Sequence, residues 1–304
     1  MTTEPPGHDN NVFASPDAVN AALEDHGYLV DVDVSNMVFL ASKLDRPMFL
    51  EGEPGCGKTF LARALAAATG RELVQLQCYA GVDANAALYE WDFTAQVLHL
   101  RSIQQGGDAA DSRGDRSIYS RRFLETRPLL RSLENPHTVL LIDEVDRADE
   151  AFEAVLLQYL SDYSITVPHL GQISTASADV RPLVILTSNR TRDVHDALKR
   201  RCLYHYFRHP DRDRQLTILL RRFEGLSVVR ARAIVDYVDL VRATDLLRPP
   251  GLSEIIDFTQ ALTIMGTSIN DDTQFRMLAQ MLIKDPADEA ALAGITVPTT
   301  LLAV

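Results

Sequence analysis

The sequence has few cysteines and no long apolar run. Its three cysteines, Cys56, Cys78 and Cys202, show no CxxC spacing, which argues against a disulfide framework and against a zinc site. So sparse a set predicts a reducing, cytoplasmic setting. No stretch approaches the roughly 20 consecutive apolar residues that a transmembrane helix needs, so we expect no membrane span.

An excess of basic residues is also missing. The chain has 30 Lys and Arg against 42 Asp and Glu, a formal net charge of -12. General nucleic-acid binders usually show the opposite balance, so we do not expect nucleic acid as the main partner. The first residues are polar and lack the basic and apolar regions of a secretory signal. We expect residues 1–12 to form a flexible tail.

What the sequence does contain is an alternation of short apolar runs and helical stretches. Helices are predicted at 60–69 and 150–159, between apolar runs that read as buried strands. This order predicts an α/β fold with a parallel five-stranded sheet flanked by helices. The predicted strands are 47–52, 73–77, 138–143, 183–189 and 205–207.

The pattern becomes all-helical after about residue 211. Helices are predicted at 212–223, 228–241, 252–264 and 273–283. We therefore expect an α/β domain over 13–210 and a small all-helical domain over 211–304. Within the first, the polar segment at about 94–122 reads as a surface insertion, partly flexible. The apolar residues 290–304 could pack on the helical core or dock on a neighbouring subunit, and the sequence leaves both open.

A phosphate-binding loop follows the first predicted strand. Its residues fit G-x-x-x-x-G-K-[ST] at every fixed position, between a strand and a helix, as this motif requires. Glycines let backbone N–H groups approach phosphate oxygens, the lysine reaches the β- and γ-phosphates, and the threonine hydroxyl binds Mg²⁺. The predicted ATP-binding residues are Gly52, Glu53, Pro54, Gly55, Cys56, Gly57, Lys58, Thr59 and Phe60.

Cys56 within this loop has two interpretations. A thiol at a helix N-terminus can be redox-sensitive because the helix favours thiolate there. The simpler interpretation, which we favour, is a small side chain at a position that the motif leaves free.

Polar residues end two further buried strands. Asp143 and Glu144 close the run 138–143, and Asn189 closes the run 183–189. Ligands of parallel sheets bind at the carboxyl ends of strands, so these side chains should lie near the phosphate-binding loop. We expect Asp143 to hold Mg²⁺ together with Thr59, and Glu144 to orient and deprotonate the attacking water. Asn189 would contact the γ-phosphate or that water.

The order of these motifs resembles that of the AAA+ superfamily of ATPases. The C-terminal helices resemble the helical lid domain of that superfamily. A finer resemblance is to MoxR-type ATPases, through the runs LIDEVDRA at 141–148 and PMFLEG at 47–52. The runs LYEW at 88–91 and RPLL at 127–130 are similar to the MoxR subset associated with carbon monoxide dehydrogenase, a molybdenum enzyme.

This resemblance implies a function and partners. MoxR-type proteins form hexameric rings, generally work with a protein that carries a von Willebrand factor A domain, and many serve the maturation of metalloenzymes. We therefore expect an ATPase, with ATP and Mg²⁺, that remodels a client metalloenzyme. The alternative is an AAA+ nucleic-acid motor for branch migration or helicase loading, a class that usually adds a DNA-binding domain.

The resemblance also implies roles for particular residues. A β-hairpin at about 164–176 would project into the ring pore. Arg201, or its neighbour Arg200, would be the arginine finger that reaches the ATP of the next subunit; a basic helix end that offsets the helix dipole is the other interpretation.

Three further positions keep alternatives open. Arg147 would contact nucleotide or an adjacent subunit. Where the family's lid has an arginine that contacts nucleotide, this sequence has Glu254, and Arg248 just upstream could substitute for it. Trp91 could anchor a partner or pack in the core.

Overall fold

The computed structural model describes residues 12–79, 87–104, 118–176, 180–265, 272–297 and 301. The chain forms two compact units. The first, which we call the sheet unit, comprises Met1–Glu51 and Thr59–Tyr206; the second, the helical unit, comprises Gly52–Lys58 and Phe207–Val304. The division predicted at 210/211 stays a prediction; in this partition the loop residues Gly52–Lys58 belong to the helical unit. The predicted tail lies outside the described residues, apart from Val12.

A five-stranded sheet forms the centre of the fold. Its strands are β1 (Met48–Gly52), β2 (Glu72–Gln77), β5 (Thr138–Asp143), β8 (Leu183–Ser188) and β9 (Leu203–Phe207). They lie in the order β2-β5-β8-β1-β9. Strand β5 pairs in parallel with β2 and β8, and β8 pairs in parallel with β1. Every residue of β1, β5 and β8 is buried, which explains their near-continuous apolar sequences. The predicted parallel five-stranded sheet is confirmed.

Helices surround this sheet, and polar side chains fix where several begin. Ser15 accepts a hydrogen bond from the Ala18 amide at 3.1 Å, and Asp149 accepts one from the Phe152 amide at 2.8 Å. Within the described ranges, no helix is long and apolar enough to cross a membrane. These helices are α1 (Pro16–Asp25), α2 (Val32–Leu44), α3 (Lys58–Thr69), α4 (Phe93–Gln104), α5 (Pro128–Glu134), α6 (Glu150–Asp162) and α7 (Asp196–Arg201).

Two small antiparallel sheets complete the sheet unit. One is the predicted hairpin, in which β6 (Ser164–Val167) pairs with β7 (Gly171–Ser174). The other was not predicted and pairs β3 (Tyr89–Trp91) with β4 (Leu124–Thr126). The predicted insertion at 94–122 begins as the regular helix α4, and its residues 105–117 lie outside the described residues.

Trp91 belongs to an aromatic cluster beside this second small sheet. Its ring meets those of Tyr89 and Tyr119 edge-on, at centroid distances of 6.0 and 5.4 Å. It also packs, partly buried, against the core of the sheet unit. These contacts favour core packing over the partner-anchor interpretation.

The helical unit packs around its own apolar core. Its helices are α8 (Arg212–Arg222), α9 (Val228–Arg242), α10 (Leu252–Met265), α11 (Asp272–Ala279) and α12 (Glu289–Ala293). The C-terminal apolar segment contributes Leu292, Ile295, Val297 and Leu301 to this core. Of the two possibilities left open by the sequence for residues 290–304, the described part follows the first and packs on the helices.

Candidate active site

Two glycines of the loop between β1 and α3 lie where a side chain would come too close to other atoms. A Cβ atom on Gly52 would lie 2.3 Å from the Phe207 carbonyl oxygen, and one on Gly55 would lie 2.6 Å from Ser253 Oγ. Gly55 also has φ +77°, in the left-handed region that disfavours side chains. The motif glycines are therefore required by the geometry of the helical unit, in addition to any ligand.

Lys58 is a buried cation at the end of this loop. Its side chain donates hydrogen bonds to the carbonyl oxygens of Gly52 and Glu53 at 2.7 and 2.8 Å and lies 3.5 Å from Cys56 Sγ. Among the described residues these partners are all neutral, although a buried ammonium group is strongly favoured by a nearby negative charge. A phosphate would supply that charge, so the loop fits the predicted nucleotide.

The thiol of Cys56 is buried as well. Burial raises its pKa above the ordinary value, although the nearby Lys58 acts in the opposite direction. A raised pKa leaves less reactive thiolate. The structure therefore favours the interpretation of Cys56 as an unreactive small side chain.

Asp143 ends strand β5 in the sheet unit and collects hydroxyl donors. Thr59 Oγ1 donates to its two carboxylate oxygens at 3.1 and 3.2 Å, and Thr187 Oγ1 donates to Oδ1. Gln75 Nε2 lies 3.4 Å from Oδ2. A carboxylate beside a threonine hydroxyl is an oxygen donor set of the kind that Mg²⁺ takes up with nucleotide phosphates. Among the described residues, no group of three or more His, Cys, Asp or Glu side chains could hold a metal alone.

Glu144 follows in a strained conformation. Its φ is +55°, its backbone N–H donates to Thr187 Oγ1 at 3.0 Å, and such strain in a non-glycine residue is common at active sites. One carboxylate oxygen accepts from Asn189 Nδ2 at 3.2 Å and the other from Arg147 Nη1 at 2.9 Å. The structure thus brings Glu144 and Asn189 into contact and adds Arg147 as an ion-pair partner.

Asp146 is a site residue that the sequence analysis missed. It is 2% exposed and accepts hydrogen bonds from the Asn189 amide at 3.1 Å and from the Thr191 amide and hydroxyl at 2.8 and 2.7 Å. Burial alone would raise its pKa, but these hydrogen bonds outweigh it and hold the pKa of Asp146 below its usual value. The signal was present, since Asp146 is a third acid, three residues after Asp143 and two after Glu144. It fixes the backbone that carries Asn189.

The two candidate arginine fingers lie at the end of helix α7. Both Arg200 and Arg201 are exposed. The Arg201 side chain donates to Ser161 Oγ at 2.7 Å and to the Ala197 carbonyl oxygen at 3.1 Å. The basic residues at this helix end also suit the helix dipole, so both interpretations of the pair agree with its position.

Glu254 has a local structural role in the helical unit. It is the third residue of α10, and its carboxylate accepts a hydrogen bond from the Gly251 amide at 3.0 Å, as in a capping box. Arg248 has an exposed side chain. Arg242, which the sequence analysis did not single out, donates to the Pro250 carbonyl oxygen from Nε and Nη2 at 3.0 and 2.8 Å. The acid in place of an arginine therefore stabilises the start of α10.

Two kinds of known protein match this chain: solved structures and a family model. The chain is similar to a solved structure of Thermotoga maritima RuvB, described as a Holliday junction branch migration motor, with 15% identity, a TM-score of 0.45, and coverage of 88% of this chain and 70% of that one. A mutant of that protein gives 16% identity, a TM-score of 0.48, and coverage of 92% and 72%.

With TM-scores below 0.5, these similarities carry no argument about the function of this chain. No curated protein matches the sequence. Residues 47–202 match the family model of the AAA domain, dynein-related subfamily. Because this match covers more than half of the 304 residues, the chain belongs to the dynein-related subfamily of AAA domains and is an ATPase.

Proposed function

We propose that this ATPase is a motor that couples ATP hydrolysis to the remodelling of a client protein. The observation that carries the proposal is the arrangement of Glu144, which touches Asn189 and directly follows the hydroxyl-bonded Asp143. In this proposal Asp143 and Thr59 hold the Mg²⁺ that accompanies ATP and neutralises charge on its phosphates. Glu144 takes a proton from the attacking water, which Asn189 orients.

In this proposal the loop residues Gly52 to Phe60, including Lys58, bind the phosphates of ATP. The active form is a homo-oligomeric ring, and the resemblance to MoxR-type ATPases implies a hexamer. The exposure of Arg200 at the end of α7 supports a ring, because its side chain can reach a neighbouring subunit. Arg201 is also exposed, but its guanidinium would first have to release Ser161 Oγ and the Ala197 carbonyl oxygen. A guanidinium near the γ-phosphate stabilises the charge of the transition state. The role of Arg248 as a nucleotide contact remains a prediction.

The net charge of the chain and the pairing of its arginines favour a protein client over nucleic acid. The net charge is -12, and arginines that could have formed a basic face are paired with carboxylates instead. Arg121 pairs with Glu134, and Arg131 pairs with Glu72. The surface there is of mixed charge, which disfavours binding to a polyanion.

The sequence resemblance to MoxR-type ATPases supplies the finer part of the proposal. It comprises a partner with a von Willebrand factor A domain, a client metalloenzyme and a cytoplasmic setting. The hairpin of β6 and β7, whose turn residues Pro168 and His169 are exposed, is our candidate for the element that touches the client.

A trapping experiment tests the proposal. We expect Glu144→Gln to bind ATP with the wild-type affinity and to lower kcat by about a hundredfold or more, as loss of a general base does. The ATP-loaded variant should form a ring by light scattering and retain the predicted partner and client, added as purified proteins. Lys58→Ala, which should not bind ATP, is the matched control.

Two results would contradict parts of this proposal. Turnover in Glu144→Gln equal to that of the wild type would mean that ATP is only a structural ligand. Turnover that is stimulated by branched duplex DNA, and by no protein partner, would replace the protein client with the nucleic-acid alternative.

A further inference from the structure

A buried carboxylate lies directly before the phosphate-binding loop. Glu51, the penultimate residue of β1, is 5% exposed. Lys199 Nζ donates to its Oε1 at 3.2 Å, and the Tyr204 hydroxyl donates to its Oε2 at 2.6 Å. Burying a carboxyl group is costly unless it is paired and hydrogen-bonded, and Lys199 and Tyr204 supply these contacts to Glu51.

The two partners of Glu51 bracket the candidate arginine fingers in the sequence. Lys199 immediately precedes Arg200 and Arg201, and Tyr204 follows them by three residues. Glu51 therefore holds the chain on both sides of the arginine pair. The residues between the two contact points are the end of α7, Cys202 and the start of β9, so this segment is also held by secondary structure.

Near the opposite end of β1, a side chain contacts the backbone of Arg200 and Arg201. Arg46, two residues before the strand, donates from Nη2 to the Arg200 carbonyl oxygen at 2.8 Å and from Nε to the Arg201 carbonyl oxygen at 3.3 Å. These carbonyls are at a helix C-terminus, where intrahelical partners are missing.

An aromatic residue of β1 extends the same contact surface. Phe49 lies two residues from Glu51 on the same face of the strand. Its ring stacks on that of Tyr204 at 6.2 Å and lies 5.6 Å from Lys199 Nζ. Strand β1 thus contacts Lys199 and Tyr204, on either side of the arginine pair, through both Phe49 and Glu51.

We propose that Glu51 is a positioning residue that sets the Arg200–Arg201 segment for action on the nucleotide of a neighbouring subunit. The inference rests on the proposed role of this pair as the finger. Because β1 continues directly into Gly52, one strand carries both the nucleotide loop of a subunit and the support of its finger. A remaining contact, with Arg190 Nε at 4.0 Å, involves a side chain that is 59% exposed and contributes little.

The first test separates binding from turnover. Glu51→Gln keeps the shape of the side chain and an acceptor for Tyr204 but removes the charge that faces Lys199. We expect the affinity for a fluorescent ADP analogue to stay within about twofold, and kcat to fall by about tenfold to a hundredfold, as small misplacements of reacting groups do. Glu125→Gln, an exposed carboxylate on β4, is the control and should keep wild-type kcat. An unchanged kcat in Glu51→Gln would overturn the inference.

The second test asks in which subunit the defect acts. Lys58→Ala subunits bind no nucleotide but carry intact arginines. When they are added in excess, most Glu51→Gln subunits have a neighbour with a correctly placed arginine pair. ATP turnover per Glu51→Gln subunit should then rise severalfold above that of Glu51→Gln alone. If they restore none, the defect lies in the nucleotide site of the Glu51→Gln subunit itself, and the positioning role is wrong.

Two comparisons keep this result distinct from the proposed function. The double variant Arg200→Ala/Arg201→Ala should show the same rescue by Lys58→Ala; absence of rescue there would refute the finger assignment, whatever Glu51 does. Tyr204→Phe, at a half-exposed position that should tolerate the change, should lower kcat without changing the melting temperature. Combined with Glu51→Gln it should lower kcat no further, whereas additive losses would mean that the two residues act separately.

Discussion

Arg147 Nη1 lies 2.9 Å from Glu144 Oε2, so the proposed general base is held in an ion pair. The Arg147 side chain is 55% exposed and that of Glu144 is 27% exposed. The other oxygen of Glu144 accepts from Asn189. Each oxygen still has a second lone pair for a proton, but the two contacts hold the carboxylate in one orientation. We expect its reorientation towards the attacking water to require opening of the ion pair.

We therefore predict that Arg147→Met raises the basal kcat. A partly exposed ion pair is worth about 0.2–1 kcal/mol, which corresponds to an increase of about fivefold at most. Steady-state phosphate release measures this. Glu144→Gln/Arg147→Met should be as inactive as Glu144→Gln alone. A fall in kcat for Arg147→Met would instead mean that the arginine is needed in the transition state.

A second prediction concerns Mg²⁺. Thr59→Val keeps the shape of the side chain and removes the hydroxyl that donates to Asp143. We expect nucleotide binding in the presence of Mg²⁺ to weaken about tenfold or more, since the hydroxyl is a metal ligand in this class of loop. Binding in the presence of a chelator should change little. Fluorescence titrations with and without Mg²⁺ provide the comparison, and equal losses in the two would exclude a role specific to the metal.

The third prediction concerns Asp146 and pH. Because its pKa is lowered in the folded protein, the carboxylate contributes stability that is complete above the unfolded value of about 4 and is lost as pH falls through the lower folded value. Asp146→Asn places an amide opposite the Thr191 donors and should lower the free energy of unfolding at pH 7 by about 1–3 kcal/mol.

Denaturant titrations at neutral pH and below pH 4 measure this difference. It should shrink in acid, because the wild type loses its contribution there and the variant has none to lose. Thr191→Val, which removes one donor, should show a smaller loss with the same pH trend. A difference that is independent of pH would assign the effect to packing.

Local signals in the sequence were enough to predict the sheet and the loop that follows β1, whereas nucleotide binding by the residues of this loop stays a prediction. The strands of Leu140 and Ile185 are buried on both faces, so their apolar runs are continuous, and the spacing of Gly52, Lys58 and Thr59 is fixed by the loop itself. Glu51 was different. An acid within the apolar run MFLEG looked like part of a motif, and only the fold brings it to Lys199.

Other features depend on partners distant in the sequence. The strand of Trp91 pairs with that of Leu124 across the segment 105–117, and three-residue strands have too little periodicity to predict. The sequence showed that Glu254 stands where the family's lid has an arginine. Its role, to accept a hydrogen bond from the Gly251 amide at the start of α10, became visible only once the structure showed where α10 begins.

The last prediction separates backbone strain from steric fit in the phosphate-binding loop. Gly55 and Gly70 have similar positive φ angles, +77° and +68°, but a Cβ atom on Gly55 would lie 2.6 Å from Ser253 Oγ, whereas one on Gly70 would meet nothing within 4 Å. Alanine should cost about 1 kcal/mol or more at both positions through strain. At Gly55 the contact should add about 1–3 kcal/mol.

Thermal unfolding measures the cost of backbone strain and of the contact with Ser253, and the affinity for an ADP analogue shows whether nucleotide binding is affected. Gly55→Ala should lower the melting temperature more than Gly70→Ala and should weaken nucleotide binding, which Gly70→Ala should leave intact. Adding Ser253→Ala removes the Oγ atom and should recover part of the loss caused by Gly55→Ala, down to the strain that the two glycine variants share. If Gly55→Ala and Gly70→Ala proved equal in stability, Gly55 would be required for its φ angle alone, and the close approach to Ser253 would have no energetic consequence.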